Sequence, residues 1–159
     1  MAEMKYIFFF LSVFLLLSLT GCSSNASENI TDNKTQQSPL AKNEITIDKL
    51  EVYHFHGTNQ CYSCKTVGAY AEDTINTYFA DELKTGKIVF DHINTELPEN
   101  KELAIKYGAT SASLWLGSYD KTGFHAEQNT NVWYKISNKQ DYMNYLKDLI
   151  QKRLAGDMS

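Results

Sequence analysis

Leu50-Glu51-Val52-Tyr53-His54-Phe55-His56-Gly57-Thr58-Asn59-Gln60-Cys61-Tyr62-Ser63-Cys64-Lys65 is the stretch on which the reading of this chain turns. Leu50 to His56 carries Val52, Tyr53 and Phe55 and reads as a short strand. Gly57-Thr58-Asn59 reads as a turn. From about Cys61 to Lys84 the residues Val67, Tyr70, Ala71, Ile75, Tyr78, Phe79 and Leu83 recur at three- and four-residue steps. That spacing is one face of a long helix, and Gly86 can cap its C-terminus. Cys61 and Cys64 are therefore expected at the tip of a helix that follows a strand.

The placement matters more than the spacing. A helix N-terminus presents free N–H groups and about half a positive charge, so a thiolate held there is stabilised and its pKa falls. Two cysteines three residues apart share one turn, so one sulfur can attack and the other can resolve the mixed disulfide. Cys61, nearer the tip, is the expected nucleophile, and Cys64 the expected resolving thiol. A static disulfide is a weaker reading, because closing so short a loop stabilises little. Half of a metal site is another: His54 and His56 share one strand face and could complete a Cys2His2 set with Cys61 and Cys64. That spacing does not match paired zinc ligands, and no metal site is expected.

Outward from this stretch, Lys87 to Ile93 reads as a second strand. Pro98 opens a second helix that runs to Tyr107, with Gly108 ending it. Ala112 to Ser118 reads as a third strand and Val132 to Ile136 as a fourth, the connection between them being polar. A last helix starts at Ser137, where Gln140 three residues on makes a capping box. Tyr142, Leu146, Leu149 and Ile150 give its buried face, and Gly156 its end. The expected order is β-α-β-α-β-β-α, an α/β fold with a central mixed sheet flanked by helices. Strands one and two, joined by a helix, are expected to be parallel with a right-handed crossover.

The strand, the turn, Cys-x-x-Cys-Lys at a helix start and this element order resemble the thioredoxin superfamily over about Leu50 to Leu154. More narrowly, Tyr53-His54-Phe55-His56-Gly57-Thr58, Cys61-x-x-Cys64 and Ala69-Tyr70-Ala71 resemble the ArsF-type family, described as nitrophenyl compound nitroreductase subunits. Phe79-Ala80-Asp81-Glu82-Leu83-Lys84-x-Gly86-Lys87 and Pro98-Glu99-Asn100 fit the same pattern. The narrower resemblance implies a part in reducing nitroaromatic compounds. Three departures from thioredoxin stand out. The proline that faces the dithiol just before the third strand is replaced by about Ser113. Gln60-Cys61-Tyr62-Ser63-Cys64 replaces Trp-Cys-Gly-Pro-Cys. The acid six residues before the first cysteine is Phe55, so no proton acceptor for the resolving thiol is obvious.

His54 and His56 are read as partly exposed strand-end residues, with His56 the one that could tune the Cys61 thiolate. Lys65 reads as a solvated helix residue that adds positive potential. Trp115, Trp133 and Tyr134 read as sheet core by their alternation on strands. No Gly-rich phosphate loop or flavin-binding pattern is present, so no cofactor is expected on this chain. Nitroreduction needs one, and a partner protein would have to hold it.

The N-terminus accounts for the third cysteine. Lys5 precedes the apolar run Tyr6 to Leu19, which has the form of an export signal and is short for the roughly 20 residues that span a bilayer. It ends in Leu19-Thr20-Gly21-Cys22, which resembles the lipobox of prokaryotic lipoproteins and implies lipidation of Cys22. Glu3 is unusual before such a run, so Met4 is a candidate start. Ser23 to about Asn43 is polar, cannot bury a core and reads as a disordered tether of roughly 25 Å average reach. Its Asn25, Asn29 and Asn33 fall in glycosylation-type triplets that its composition alone explains. The expected organisation is a signal over 1–21, a lipidated tether over 22–44 and a thioredoxin-like domain over 45–156.

A net charge of -4 leaves no basic surplus to meet phosphates, which argues against nucleic acid as a partner. The reading that follows is a membrane-anchored, extracytoplasmic thiol-disulfide redox protein serving a dedicated redox partner. Its rivals are a non-catalytic accessory subunit on the same scaffold and, behind it, a metal-handling protein.

Overall fold

Lys49–His56 forms β1, buried along nearly its whole length, as a strand covered on both faces must be. The structure, a computed structural model, describes residues 45–159. The expected signal segment 1–21, the lipidated Cys22 and the tether 22–44 lie outside the described residues. The remaining strands are β2 (Ile88–Asn94), β3 (Ser113–Asp120) and β4 (Gly123–Asn129). The helices are α1 (Tyr62–Tyr78), α2 (Ala80–Thr85), α3 (Lys101–Tyr107) and α4 (Lys139–Leu154). Among the described residues no helix is long and apolar enough to cross a membrane.

The sheet order is β2-β1-β3-β4. β1 and β2 run parallel, while β3 is antiparallel to both β1 and β4. This mixed sheet with flanking helices is the thioredoxin-like arrangement expected from the element order. Alternation along β1 sends Leu50 and Val52 into one core with Val67, Ala71 and Ile75 of α1 and Tyr142, Leu146 and Ile150 of α4. Tyr53 and Phe55 point the other way, into a second core with Ala104 and Tyr107 of α3.

That second face also buries Glu51, which accepts hydrogen bonds from Tyr107 Oη at 2.7 Å, Tyr119 Oη at 2.8 Å and Lys49 Nζ at 2.7 Å. Burial pushes the Glu51 carboxyl up, but these donors outweigh it and hold it below the ordinary value. Gly117 makes the network possible, since a Cβ there would lie 2.0 Å from Tyr107 Oη.

Several expectations need correcting. The single helix from Cys61 to Lys84 is two helices, broken at Phe79 (φ −134°, ψ 28°). Phe79 is buried in the core there, and the four-residue spacing Ile75-Phe79-Leu83 runs on through the break, so periodicity does not mark it. The fourth strand is not Val132–Ile136. It is the polar stretch Gly123–Asn129, an edge strand exposed along most of its length, and hence without an apolar pattern. Asn131–Lys135 is a short 3-10 helix that turns Val132 into the core.

The cap of α4 is Asn138, whose side chain accepts from the Asp141 N–H at 3.2 Å, and not Ser137. Gln140 instead donates to Asn144 Oδ1 at 2.9 Å. The aromatic expectation also divides. Trp115 is half-buried beside Tyr107, Trp133 packs against the first core from the 3-10 turn, and Tyr134 is 86% exposed. Gly86 and Gly108 cap their helices in the left-handed region at φ 74° and 71°, as their positions suggested.

Candidate active site

The turn after β1 is pinned before it reaches the cysteines. The Thr58 N–H donates to Glu96 Oε2 at 3.1 Å, and Asn94 Nδ2 donates to Thr58 Oγ1 at 3.1 Å. Cys61 then takes the N-cap position of α1 in extended conformation. Its sulfur stands where a serine or aspartate oxygen usually would, accepting the Cys64 N–H at 3.0 Å. Cys61 and Cys64 are joined as a disulfide with a Cα–Cα separation of 5.1 Å. Cys61 is exposed and Cys64 half-buried one turn in. Tyr62 between them is 84% exposed, so the outer surface of the dithiol ends in an aromatic ring that touches solvent.

A cavity of about 250 Å³ is lined by His54, His56, Gln60, Lys65, Glu72 and His92, with Ala69. His54 corrects the expectation of a partly exposed strand end: it is 1% exposed. The parallel register sets it opposite His92 of β2, and the two Nδ1 atoms are 3.0 Å apart. His92 Nε2 faces Glu72 Oε2 of α1 at 3.4 Å. Gly68 of α1 lies directly over the His54 ring, and a Cβ there would fall 2.4 Å from Nδ1. Burial first, then the charges that His92 and His56 can carry, hold the His54 imidazole down at about 4 against the pull of the Cys64 main chain. It is therefore neutral at neutral pH. Its Nε2 is buried with no hydrogen-bond partner among the described residues.

His56 is half-buried, its Nδ1 2.9 Å from the Gly57 carbonyl and 3.0 Å from Gln60 Nε2. Its ring stacks on His54 with centroids 5.4 Å apart. For the Cys2His2 reading, both sulfurs are taken up by the disulfide. Among the described residues no three His, Cys, Asp or Glu side chains group as a ligand set. Lys65 is exposed on the rim.

At the start of β3, Ser113 is 1% exposed and opposite Phe55. Its hydroxyl donates to the Ser111 carbonyl at 2.8 Å and accepts from Trp115 Nε1 at 2.9 Å. Its polar atoms are thus committed to its own loop. Phe55 faces the second core, away from α1.

Sequence reasoning missed His92, Glu72 and Gly68. His92 was inside the expected second strand, but its meeting with His54 depends on register against β1, whose burial on both faces does not encode it. Gly68 did carry a signal, since an isolated glycine on the apolar face of a helix marks a close approach.

No family model matches this chain, and no curated protein matches it. Among solved structures it is similar to the crystal structure of the Trx4 domain of ERdj5. The identity is 17% and the TM-score 0.45, over 70% of this chain and 84% of that one.

Proposed function

We propose that this chain is a thiol-disulfide redox protein, held on the outer face of a membrane through lipid on Cys22, whose Cys61–Cys64 dithiol serves one dedicated partner. The observation that carries the redox reading is the position of the pair. Cys61 is the exposed N-cap of a 17-residue helix, its sulfur already receiving a backbone N–H, and Cys64 is half-buried behind it. In the reduced protein the same donors and the helix dipole favour the Cys61 thiolate. Access then decides the roles. A partner sulfur meets Cys61 from solvent, and Cys64 attacks from within to release it.

The anchor and the export rest on the Leu19-Thr20-Gly21-Cys22 pattern after its apolar run. The ArsF-type resemblance adds a specific context, an exported system that reduces nitroaromatic compounds, in which this dithiol passes electrons to or from a partner that holds the cofactor. Exposed Tyr62 supplies a contact surface for such a partner. The second reading, an accessory subunit without turnover, draws on Ser113. A buried hydroxyl tied to Ser111 and Trp115 replaces the proline that helps thioredoxins hold polypeptide substrates.

Equilibration against mixtures of reduced and oxidised glutathione separates the two. A redox protein shows a reversible two-electron transition that Cys61→Ser abolishes, together with its effect in the exported system. Retention of full function by Cys61→Ser establishes the scaffold instead.

A further inference from the structure

The acid that would serve the resolving thiol is absent, and the structure places an imidazole pair in its stead. We infer that His54 exchanges the Cys64 proton during disulfide formation and reduction, and that His92 passes that proton between His54 and solvent. The inference rests on the redox reading above and deepens it.

The geometry is specific. Gly68 lies one helical turn beyond Cys64, on the same side of α1, and only its missing Cβ lets the His54 ring lie against the helix. The ring therefore lies against the turn of α1 that runs from Cys64 to Gly68. In the tautomer in which His54 Nδ1 donates to His92 Nδ1, 3.0 Å away, Nε2 keeps its lone pair, and that nitrogen is buried and without a partner among the described residues. A buried nitrogen without a partner is costly and calls for an explanation. Exchange of a proton with the Cys64 thiol is one. His92 is the way out. Its side chain is 36% exposed, and its Nε2 faces the Glu72 carboxylate.

The Cys61 thiolate attacks a partner disulfide, the partner S–S bond breaks, and one partner sulfur leaves as thiolate. Cys64 then gives its proton to His54 Nε2, and its thiolate attacks the Cys61 sulfur. The mixed disulfide breaks, the second partner sulfur leaves as thiolate, and two electrons have passed to the partner. As Nε2 gains a proton, the Nδ1 proton of His54 moves to His92 Nδ1, and the His92 Nε2 proton goes to Glu72 or water. His54 thus ends neutral in its other tautomer. Reduction of the Cys61–Cys64 disulfide by a dithiol runs the same path backwards.

The depressed basicity of His54 supports this form of transfer, because no buried imidazolium needs to persist. The ionisable groups that line the cavity with His54 are His56 from β1, His92 from β2, and Lys65 and Glu72 from α1. β3 offers it Leu114.

The test is single-turnover reaction of the reduced full chain, carrying Cys22→Ser so that only the dithiol reacts, with dithiodipyridine across a range of pH. One absorbing thione is released when Cys61 attacks, and the second when Cys64 resolves. In His54→Gln the first release is expected to stay within about twofold of wild type, while the second slows by about 100-fold near neutral pH. The gap closes as pH rises past the ordinary thiol pKa of about 8.5. In His92→Gln, which leaves the buried ring in place, the second release is expected to slow at least about tenfold and to recover with added imidazole. A second release equal to wild type at every pH in folded His54→Gln overturns the inference. Should that variant not fold, an unchanged second release in His92→Gln overturns it instead. If wild type itself releases only one equivalent, the redox reading fails, and that result is distinct from failure of the relay alone.

Discussion

Acidification should destabilise this protein through one buried imidazole. In the folded chain burial, followed by the neighbouring His92 and His56, holds the His54 ring at about 4 against an ordinary value of 6.5. Between those two values the unfolded chain binds a proton that the folded chain refuses, so stability falls as pH falls. The contribution is fully present above pH 6.5 and is lost progressively down to about pH 4. At about 1.4 kcal/mol per pH unit, that span is worth about 3 kcal/mol, a large part of the 5–15 kcal/mol that holds a typical domain. The assay is urea denaturation of the oxidised chain at pH 7 and pH 4, followed by the fluorescence of Trp115 and Trp133. His54→Gln is measured beside wild type, so that titrating groups remote from this cluster cancel. Wild type should lose about 3 kcal/mol more than the variant over this range. Equal losses, within about 0.5 kcal/mol, would show that His54 takes up its proton as readily folded as unfolded, and the burial of its ring would be refuted.

Three further predictions concern the scaffold. Gly68→Ala gains helix propensity of about 0.5–1 kcal/mol but drives a methyl into the His54 ring. It should therefore destabilise by about 1–3 kcal/mol in thermal or urea melts. Asn138→Ala should cost about 1 kcal/mol and Ser137→Ala almost nothing, since Asn138 is the residue that caps α4. Glu51→Gln should destabilise by about 1–3 kcal/mol at neutral pH. Because the folded carboxyl titrates below its ordinary 4.5, this advantage of wild type is present above that value and disappears as pH falls through the lower one. Paired denaturation curves at neutral and acid pH read it directly.

What could be read from sequence was whatever local chemistry dictates. The β1 stretch, the helix beginning at Cys61, the glycine caps at Gly86 and Gly108, and the parallel crossover all follow from patterns a few residues wide. What could not be read depends on neighbours. β4 is polar because it is an edge, so Val132 and Trp133, apolar for a 3-10 turn that meets the core, imitated the missing strand. Asn138 and Ser137 are both good caps, and only the path of the chain selects between them. The break at Phe79 keeps the apolar spacing and is silent for that reason. At the site, the dithiol was plain, whereas the His54–His92 pair needed strand register and the close approach at Gly68. The histidine that faces α1 is thus the one adjacent to Phe55, the position whose missing acid had left the resolving thiol without a proton acceptor.

The central claim is that Cys61–Cys64 is a working dithiol activated by the tip of α1. Its most direct test is a pH titration of the thiolate absorbance of the reduced chain, with Cys22→Ser and Cys64→Ser together isolating Cys61. The account predicts a Cys61 pKa clearly below the ordinary value of about 8.5. A value at or above about 8.5 would mean that the helix tip does not activate the sulfur, and would contradict the redox role itself.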